Sequence, residues 1–180
     1  MRTPKIYRSL VLFIAGFLVS TLVGCATYMS HSKPGTETTI ILTRHAEKTV
    51  ITKILTEKGK ARAMALVEAV VKELGNKKVT AIYSPDLVRN LDTVKPLAKH
   101  LKIDISIVSS NPVPNEVVKT ILTKHSGGVV LWVGNTSNLP EIYSQLGGKG
   151  EAPNNYGDLF IMNIKDQGAP EVIKFRYGAH

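Results

Sequence analysis

Thr38-Thr39-Ile40-Ile41-Leu42-Thr43-Arg44-His45-Ala46-Glu47-Lys48 decides how the rest of the chain is read. Its first half is apolar and β-branched without alternation, the pattern of a strand buried on both faces. Its second half turns abruptly polar, and the change falls at the strand's carboxyl end. A strand covered on both faces needs helices above and below it, so the sequence beyond should alternate strands with amphipathic helices.

It does. Thr56 to Leu74 reads as a helix whose apolar face is set by Met64, Val67, Val71 and Leu74 and widened by Ala63, Leu66 and Val70. Thr56 is placed to cap its start and Gly75 to end it. Val79 to Tyr83 is a second strand, Asp86 to Leu101 a second helix distorted at Pro96, and Ile103 to Val108 a third strand. Asn111 to Pro114 reads as a loop and Glu116 to Lys124 as a third helix, ended near Gly127 and Gly128. Val129 to Val133 is a fourth, fully apolar strand, and Leu139 to Leu146 a short fourth helix. Leu159 to Ile164 and Glu171 to Tyr177 are late strands, arranged as an antiparallel pair through a turn at Gln167-Gly168. The expected fold class is α/β: a three-layer sandwich with a mostly parallel central sheet and helices on both faces.

Ligands of such sheets bind at the carboxyl ends of the strands. Three polar segments fall there: residues 43–48, Ser84-Pro85-Asp86-Leu87-Val88-Arg89, and Gly134-Asn135-Thr136-Ser137-Asn138. A parallel sheet gathers them into one pocket. Arginine forks and loop amides suit an oxyanion with several equatorial oxygens, above all phosphate. A histidine beside them is placed to attack phosphorus as a nucleophile. His45 alone would read as a hydrogen-bonded structural histidine; its chemistry is argued from the convergence of Arg44 and Arg89 upon it.

These segments carry a resemblance. Thr43 to Lys48 resembles the phosphohistidine motif of the histidine phosphatase superfamily, which has the phosphoglycerate-mutase-like fold. Leu55 to Ala63 (LTEKGKARA) is similar to that family's LTxxGxxQA helix start, and Ser84 to Thr93 to its SxxxRxxxT segment. Val129 to Pro140 (VVLWVGNTSNLP) is similar to its VLVVGHSNTxP strand and loop, and Tyr156 to Phe160 to a late YDxLF strand. The resemblance covers residues 38–164. It implies that His45 takes the phosphoryl group and that Arg44 and Arg89 bind its oxygens, with Asn135 and Thr136 contributing to the phosphate cradle. It implies neither a metal nor another cofactor. Glu47 and Lys48 mark a subgroup of small members and read either as pocket lining or as a surface salt bridge.

Two features depart from the family pattern. Asn135 stands where the family has a second histidine, and asparagine donates hydrogen bonds without carrying charge. Losing one preorganised donor of this kind costs about 10²–10³ in rate. The family's general acid also lacks an obvious counterpart. The first carboxylate after the third strand is Glu116, which reads equally as a first-turn residue favoured by the helix dipole.

The amino-terminal end is a different kind of sequence. Arg2, Lys5 and Arg8 precede a run from Leu10 to Gly24 that is apolar apart from Ser20 and Thr21. That is the pattern of a secretory signal peptide, and the run is short for a transmembrane helix. Leu22-Val23-Gly24-Cys25 resembles a bacterial lipobox, which implies cleavage before Cys25 and lipidation of it; an uncleaved anchor is the other reading. The expected organisation is a lipoprotein signal peptide over 1–24, a lipidated Cys25 with a flexible tether over 25–37, and a phosphatase-like domain over 38–180. The expected location is the bacterial cell envelope, with Ala26 after the cysteine favouring the outer membrane in a Gram-negative host.

Composition limits the alternatives. The chain has 180 residues, 43% hydrophobic and 21% charged, which excludes a mainly disordered chain and a multi-span membrane protein. One cysteine excludes an internal disulfide and a zinc ribbon. Removing Arg2, Lys5 and Arg8 with the first 24 residues lowers the net charge from +9 to +6. The remaining lysines are spread along the chain without interleaved aromatics, so a nucleic-acid partner is not expected. The expected function is a lipid-anchored phosphatase acting on a phosphorylated small molecule, head group or phosphoprotein through His45, weakened by Asn135. The alternative is a catalytically impaired lipoprotein of the same fold that binds a phosphorylated ligand.

Overall fold

The computed structural model describes residues 30–179. The signal-peptide segment and Cys25 lie outside them. Ten elements follow in order: β1 (Thr38–Arg44), α1 (Glu57–Leu74), β2 (Ala81–Pro85), α2 (Val88–Leu101), β3 (Ile105–Val108), α3 (Pro114–Lys124), β4 (Val129–Gly134), α4 (Leu139–Gln145), β5 (Asp158–Ile164) and β6 (Glu171–Arg176). They form one six-stranded sheet in the order β3-β2-β4-β1-β5-β6.

The sheet is mixed rather than mostly parallel. β3, β2, β4 and β1 run parallel, whereas β5 is antiparallel to β1 and β6 antiparallel to β5. The reason is the connection. Parallel neighbours need a crossover, usually helical. Helices link the first four strands, but no helix separates β5 from β6, and residues 146–157 bring the chain back along β1 from the opposite end.

Each central strand buries two faces because helices cover both. Ile41, Leu131, Val133 and Ile161 pack with Leu66 and Val70 of α1 and Val94 and Leu97 of α2. On the other face Ile40, Leu42, Trp132 and Met162 pack with Val118 and Ile121 of α3 and Leu139 and Ile142 of α4. The uninterrupted apolar runs of β1 and β4 thus report a central position, since a doubly covered strand has no face left for polar residues.

Several boundaries and one helix face differ from the sequence expectation. α1 turns Gly59, Arg62, Ala63, Leu66 and Val70 inward. Met64 and Val71, expected on the buried stripe, are 61% and 46% exposed. The inward row includes a charged residue, and that charge hid its period. α3 begins at Pro114 instead of Glu116 because proline has no N–H to lose in a first turn. β3 starts at Ile105 because Lys102 ends α2 in the left-handed region, its N–H donating to the carbonyls of Ala98 and Lys99.

The segment expected as a flexible tether also needs correction where it is described. Ser30 N donates to Gln145 O (3.0 Å) and Ser32 N to Lys165 O (3.1 Å). The Ser32 hydroxyl is buried within reach of Thr38 Oγ1 (2.5 Å) and Ser126 Oγ (3.0 Å). Its small polar residues serve as hydrogen-bonding groups, and the described part of the segment, residues 30–37, is packed against the domain. This docking lies at the amino-terminal end of β1 and β4. No described helix is long and apolar enough to cross a membrane.

Candidate active site

At the other end of β1 the chain leaves the sheet through Arg44 and His45. Arg44 pairs in register with Gly134 of β4, and His45 N donates to Gly134 O (3.0 Å). The parallel register therefore sets Asn135 beside His45. Gly134 is required there: a Cβ would fall 2.6 Å from both Asn138 Oδ1 and Leu139 Cγ.

His45 is 3% exposed. Its Nδ1 lies 2.7 Å from Ala46 O. A carbonyl only accepts, so Nδ1 carries the proton and Nε2 keeps its lone pair. Burial lowers the His45 pKa to about 4, and the charges of Arg44, Arg89 and Lys48 press the same way against the Ala46 carbonyl. At neutral pH the imidazole is uncharged and nucleophilic.

Two arginines surround it. Arg44 donates through Nη1 to Asn154 O (2.9 Å) and through Nη2 to the Tyr156 hydroxyl (3.3 Å). Its guanidinium lies over the Tyr156 ring, 4.1 Å from the centroid, and that ring is 5.8 Å from the His45 ring. Arg89 stands in the first turn of α2, whose N-terminus has no side-chain cap. The Nε atoms of both arginines are buried without a partner, as is Asn135 Oδ1. A buried guanidinium N–H left unpaired is costly unless a ligand completes it. The site is thus a cationic recess with spare donors around a neutral histidine.

The scaffold behind it is hydrogen-bonded. Thr93 Oγ1 donates to Arg89 O (2.7 Å) and accepts from Ala46 N (2.9 Å), tying α2 to the His45 loop. Asn90 Nδ2 donates to Val133 O (3.3 Å) and Gly134 O (3.2 Å), tying α2 to β4. Glu47 forms a bidentate pair with Arg62, which also donates to the carbonyls of Tyr177 (2.6 Å) and Ala179 (2.8 Å). Hydrogen bonds from Arg62 hold the Glu47 carboxyl below its usual range despite its burial. Among the described residues, no group of three or more His, Cys, Asp or Glu side chains gathers to hold a metal.

No protein-family model matches the chain, and no curated protein matches it. Solved structures do. A phosphoglycerate mutase from Plasmodium falciparum is 19% identical, with 81% of this chain and 94% of that one covered and a TM-score of 0.58. The protein histidine phosphatase SixA, complexed with tungstate, is 15% identical, with 77% and 96% covered and a TM-score of 0.59. A mycobacterial glucosyl-3-phosphoglycerate phosphatase, complexed with inorganic phosphate, is 13% identical, with 78% and 97% covered and a TM-score of 0.53. The fold is phosphoglycerate-mutase-like. Within that fold the sequence-derived site divides. Arg44 and His45 adjoin, Arg89 is close enough for its charge to act on His45, and Asn135 lies at the neighbouring strand end.

Thr136 follows Asn135 at the same strand end, and Glu116 stands in the first turn of α3. Thr136 is exposed and makes no side-chain hydrogen bond among the described residues. Glu116 is exposed on α3 and lines a groove with Tyr83, Val108 and Val113. No carboxylate pairs with His45, Arg44 or Arg89 among the described residues. Glu47 does not form a surface salt bridge: its pair with Arg62 is largely buried, at 15% and 5% exposure. Sequence reading missed Tyr156 and Thr93 as parts of the site. Both lay within the quoted family-like segments, and the four-residue spacing of Arg89 and Thr93 was the available signal for the second.

Proposed function

We propose that the chain is a member of the histidine phosphatase superfamily and hydrolyses a phosphate monoester through a phosphohistidine at His45. The carrying observation is the neutral, buried His45 with a free Nε2 beside two arginines whose buried Nε atoms have no protein partner. In the first step Nε2 bonds to phosphorus, the bond from phosphorus to the leaving oxygen breaks, and the electron pair departs with that oxygen. In the second, water attacks phosphorus, the P–N bond breaks, and inorganic phosphate leaves with Nε2 again unprotonated. Arg44 and Arg89 neutralise the equatorial oxygens in both steps.

With no carboxylate paired with His45 among the described residues, the reading favours substrates whose leaving group departs without a strong acid. The decisive experiment is hydrolysis of an activated aryl phosphate by the wild type, His45→Ala and Asn135→His. Activity abolished by His45→Ala and raised by Asn135→His supports the phosphatase. Silence from all three would overturn it.

A second reading is favoured by Asn135 itself, which supplies no charge beside His45. In it the recess binds a phosphorylated ligand with little turnover. Phosphate binding by calorimetry, present in wild type and lost in Arg89→Ala while aryl phosphate stays intact, would select this reading. Lipid attachment at Cys25 is proposed on the lipobox resemblance. The test is mass spectrometry of the protein expressed in a bacterial host, where Cys25→Ser should remove the acyl mass and leave the protein uncleaved.

A further inference from the structure

Between His45 and α1 the chain makes a short hairpin that the catalytic reading does not use. Lys48 bridges to Leu55, and Thr49 N donates to Ile54 O (2.8 Å). The turn is closed by Lys53, in the left-handed region, whose Nζ donates to Val50 O. The tip presents Val50 and Ile51, which are 81% and 89% exposed. Aliphatic side chains at that exposure gain nothing for the fold. Two of them side by side at the end of a built turn mark a contact surface.

The hairpin's return leg opens onto a groove of about 920 Å³ between α1 and α2. Ile54, Leu55, Ala63, Met64 and Pro96 form its apolar floor. Lysines stand around it: Lys60, Lys95 and Lys99 at the groove, Lys48 and Lys53 on the hairpin. Glu57 and Asp92 pair with Lys60 (2.7 Å) and Lys95 (2.6 Å), which leaves Lys48, Lys53 and Lys99 without an acidic partner among the described residues. The surface is therefore apolar at its centre and cationic at its rim, and it is continuous through Lys48 with the Arg44–Arg89 recess.

We propose that this hairpin and groove dock an acidic protein segment bearing exposed aliphatic or aromatic side chains, so that residues beside it reach His45. Charge complementarity sets the sign of the partner, and the apolar floor sets its character. Concavity favours a protein segment over a lipid bilayer: a groove takes side chains, and a flat bilayer would leave its floor uncovered. So does the entry of the chain, which docks at the opposite end of the sheet through Ser30 and Ser32. Five residues, the separation of Cys25 from Ser30, can span at most about 17 Å. β1 alone, seven residues long, spans about 20 Å. An anchor at Cys25 would thus point the hairpin away from its own membrane. Delivery to His45 rests on the phosphatase reading; the docking itself does not.

The test reads binding, so its failure leaves that reading standing. Ile51→Trp is introduced into the full chain in detergent micelles, with the unsubstituted chain, whose one Trp132 is fully buried, as the baseline. The probe is a synthetic helical peptide with leucines on one face and glutamates on the other. The expected result is a saturable blue shift in the emission of the indole introduced at the hairpin tip. A peptide with lysines in place of the glutamates should give none, and Lys95→Glu with Lys99→Glu should weaken binding about tenfold or more at unchanged thermal stability. No shift, or a shift indifferent to both charge reversals, would overturn the proposal. So would quenching of the introduced indole by brominated lipid chains in phosphatidylglycerol vesicles, which would make this face a membrane contact.

Discussion

His45 suits the proposed nucleophilic role because three local facts act on one ring. Its proton is parked on Nδ1 by the Ala46 carbonyl, its burial disfavours the cation, and Arg44 and Arg89 disfavour it further. A pKa of about 4 means that the nucleophilic form persists well below neutrality. The acid limb of kcat/KM for an activated aryl phosphate should therefore fall near pH 4, not near the ordinary histidine value of 6.5. A limb near 6.5 would show that His45 does not titrate in the rate. The same depression links to stability. An unfolded histidine takes its proton near 6.5 and the folded one near 4, so the folded state loses stability as pH falls from 6.5 towards 4 and none above 6.5. The loss amounts to about 3 kcal/mol. His45→Gln should flatten that part of the stability profile. Asn135→His, beside it, should restore a charged donor and raise kcat by about 10².

At the scale of elements, the His45 loop is held by the helix that follows it. Gly59, in the first turn of α1, sits against the loop so closely that a Cβ would lie 2.1 Å from Glu47 O. One turn on, Arg62 reaches Glu47 and the carboxy-terminal carbonyls of Tyr177 and Ala179. Breaking a buried ion pair by removing one partner strands the other, at a cost of about 3–5 kcal/mol. Arg62→Ala should lower the unfolding free energy by that amount in denaturant titration, and Glu47→Gln by less because it still accepts a hydrogen bond. Arg62 also marks where sequence reading stopped. The strand–helix alternation, the central place of β1 and β4 and the gathering of polar residues at the strands' carboxyl ends were legible because each is a periodic or compositional signal. The inward face of α1 was not, because a charged residue sat on it and Met64 and Val71 imitated the stripe. The carboxylate partner of that charge was fifteen positions away, at a separation no local pattern encodes.

On the scale of the whole molecule, the docked amino-terminal segment and the cationic recess lie at opposite ends of the sheet. The described chain begins against the amino-terminal ends of β1 and β4, and the cationic recess opens at their carboxyl ends. Between them lie two apolar layers with few polar interruptions, so the recess is built on a rigid sheet rather than on loops alone. Its donors are set before any ligand arrives: Arg44 is clamped by Asn154 and Tyr156, and Arg89 by the α2 turn that Thr93 ties to Ala46. A preformed site of this kind must stabilise the fold when filled. Inorganic phosphate at a hundred times its Kd adds about 2.7 kcal/mol. At about 2–4 °C per kcal/mol for a domain of this size, Tm should rise by about 5–10 °C over chloride at equal ionic strength. Arg89→Ala should abolish the rise, because it removes donors to the equatorial oxygens. His45→Ala should retain most of it, because the nucleophile contributes little to holding the free anion. A rise that survives Arg89→Ala would place the anion elsewhere, on one of the surface lysines, and would detach phosphate recognition from the strand ends.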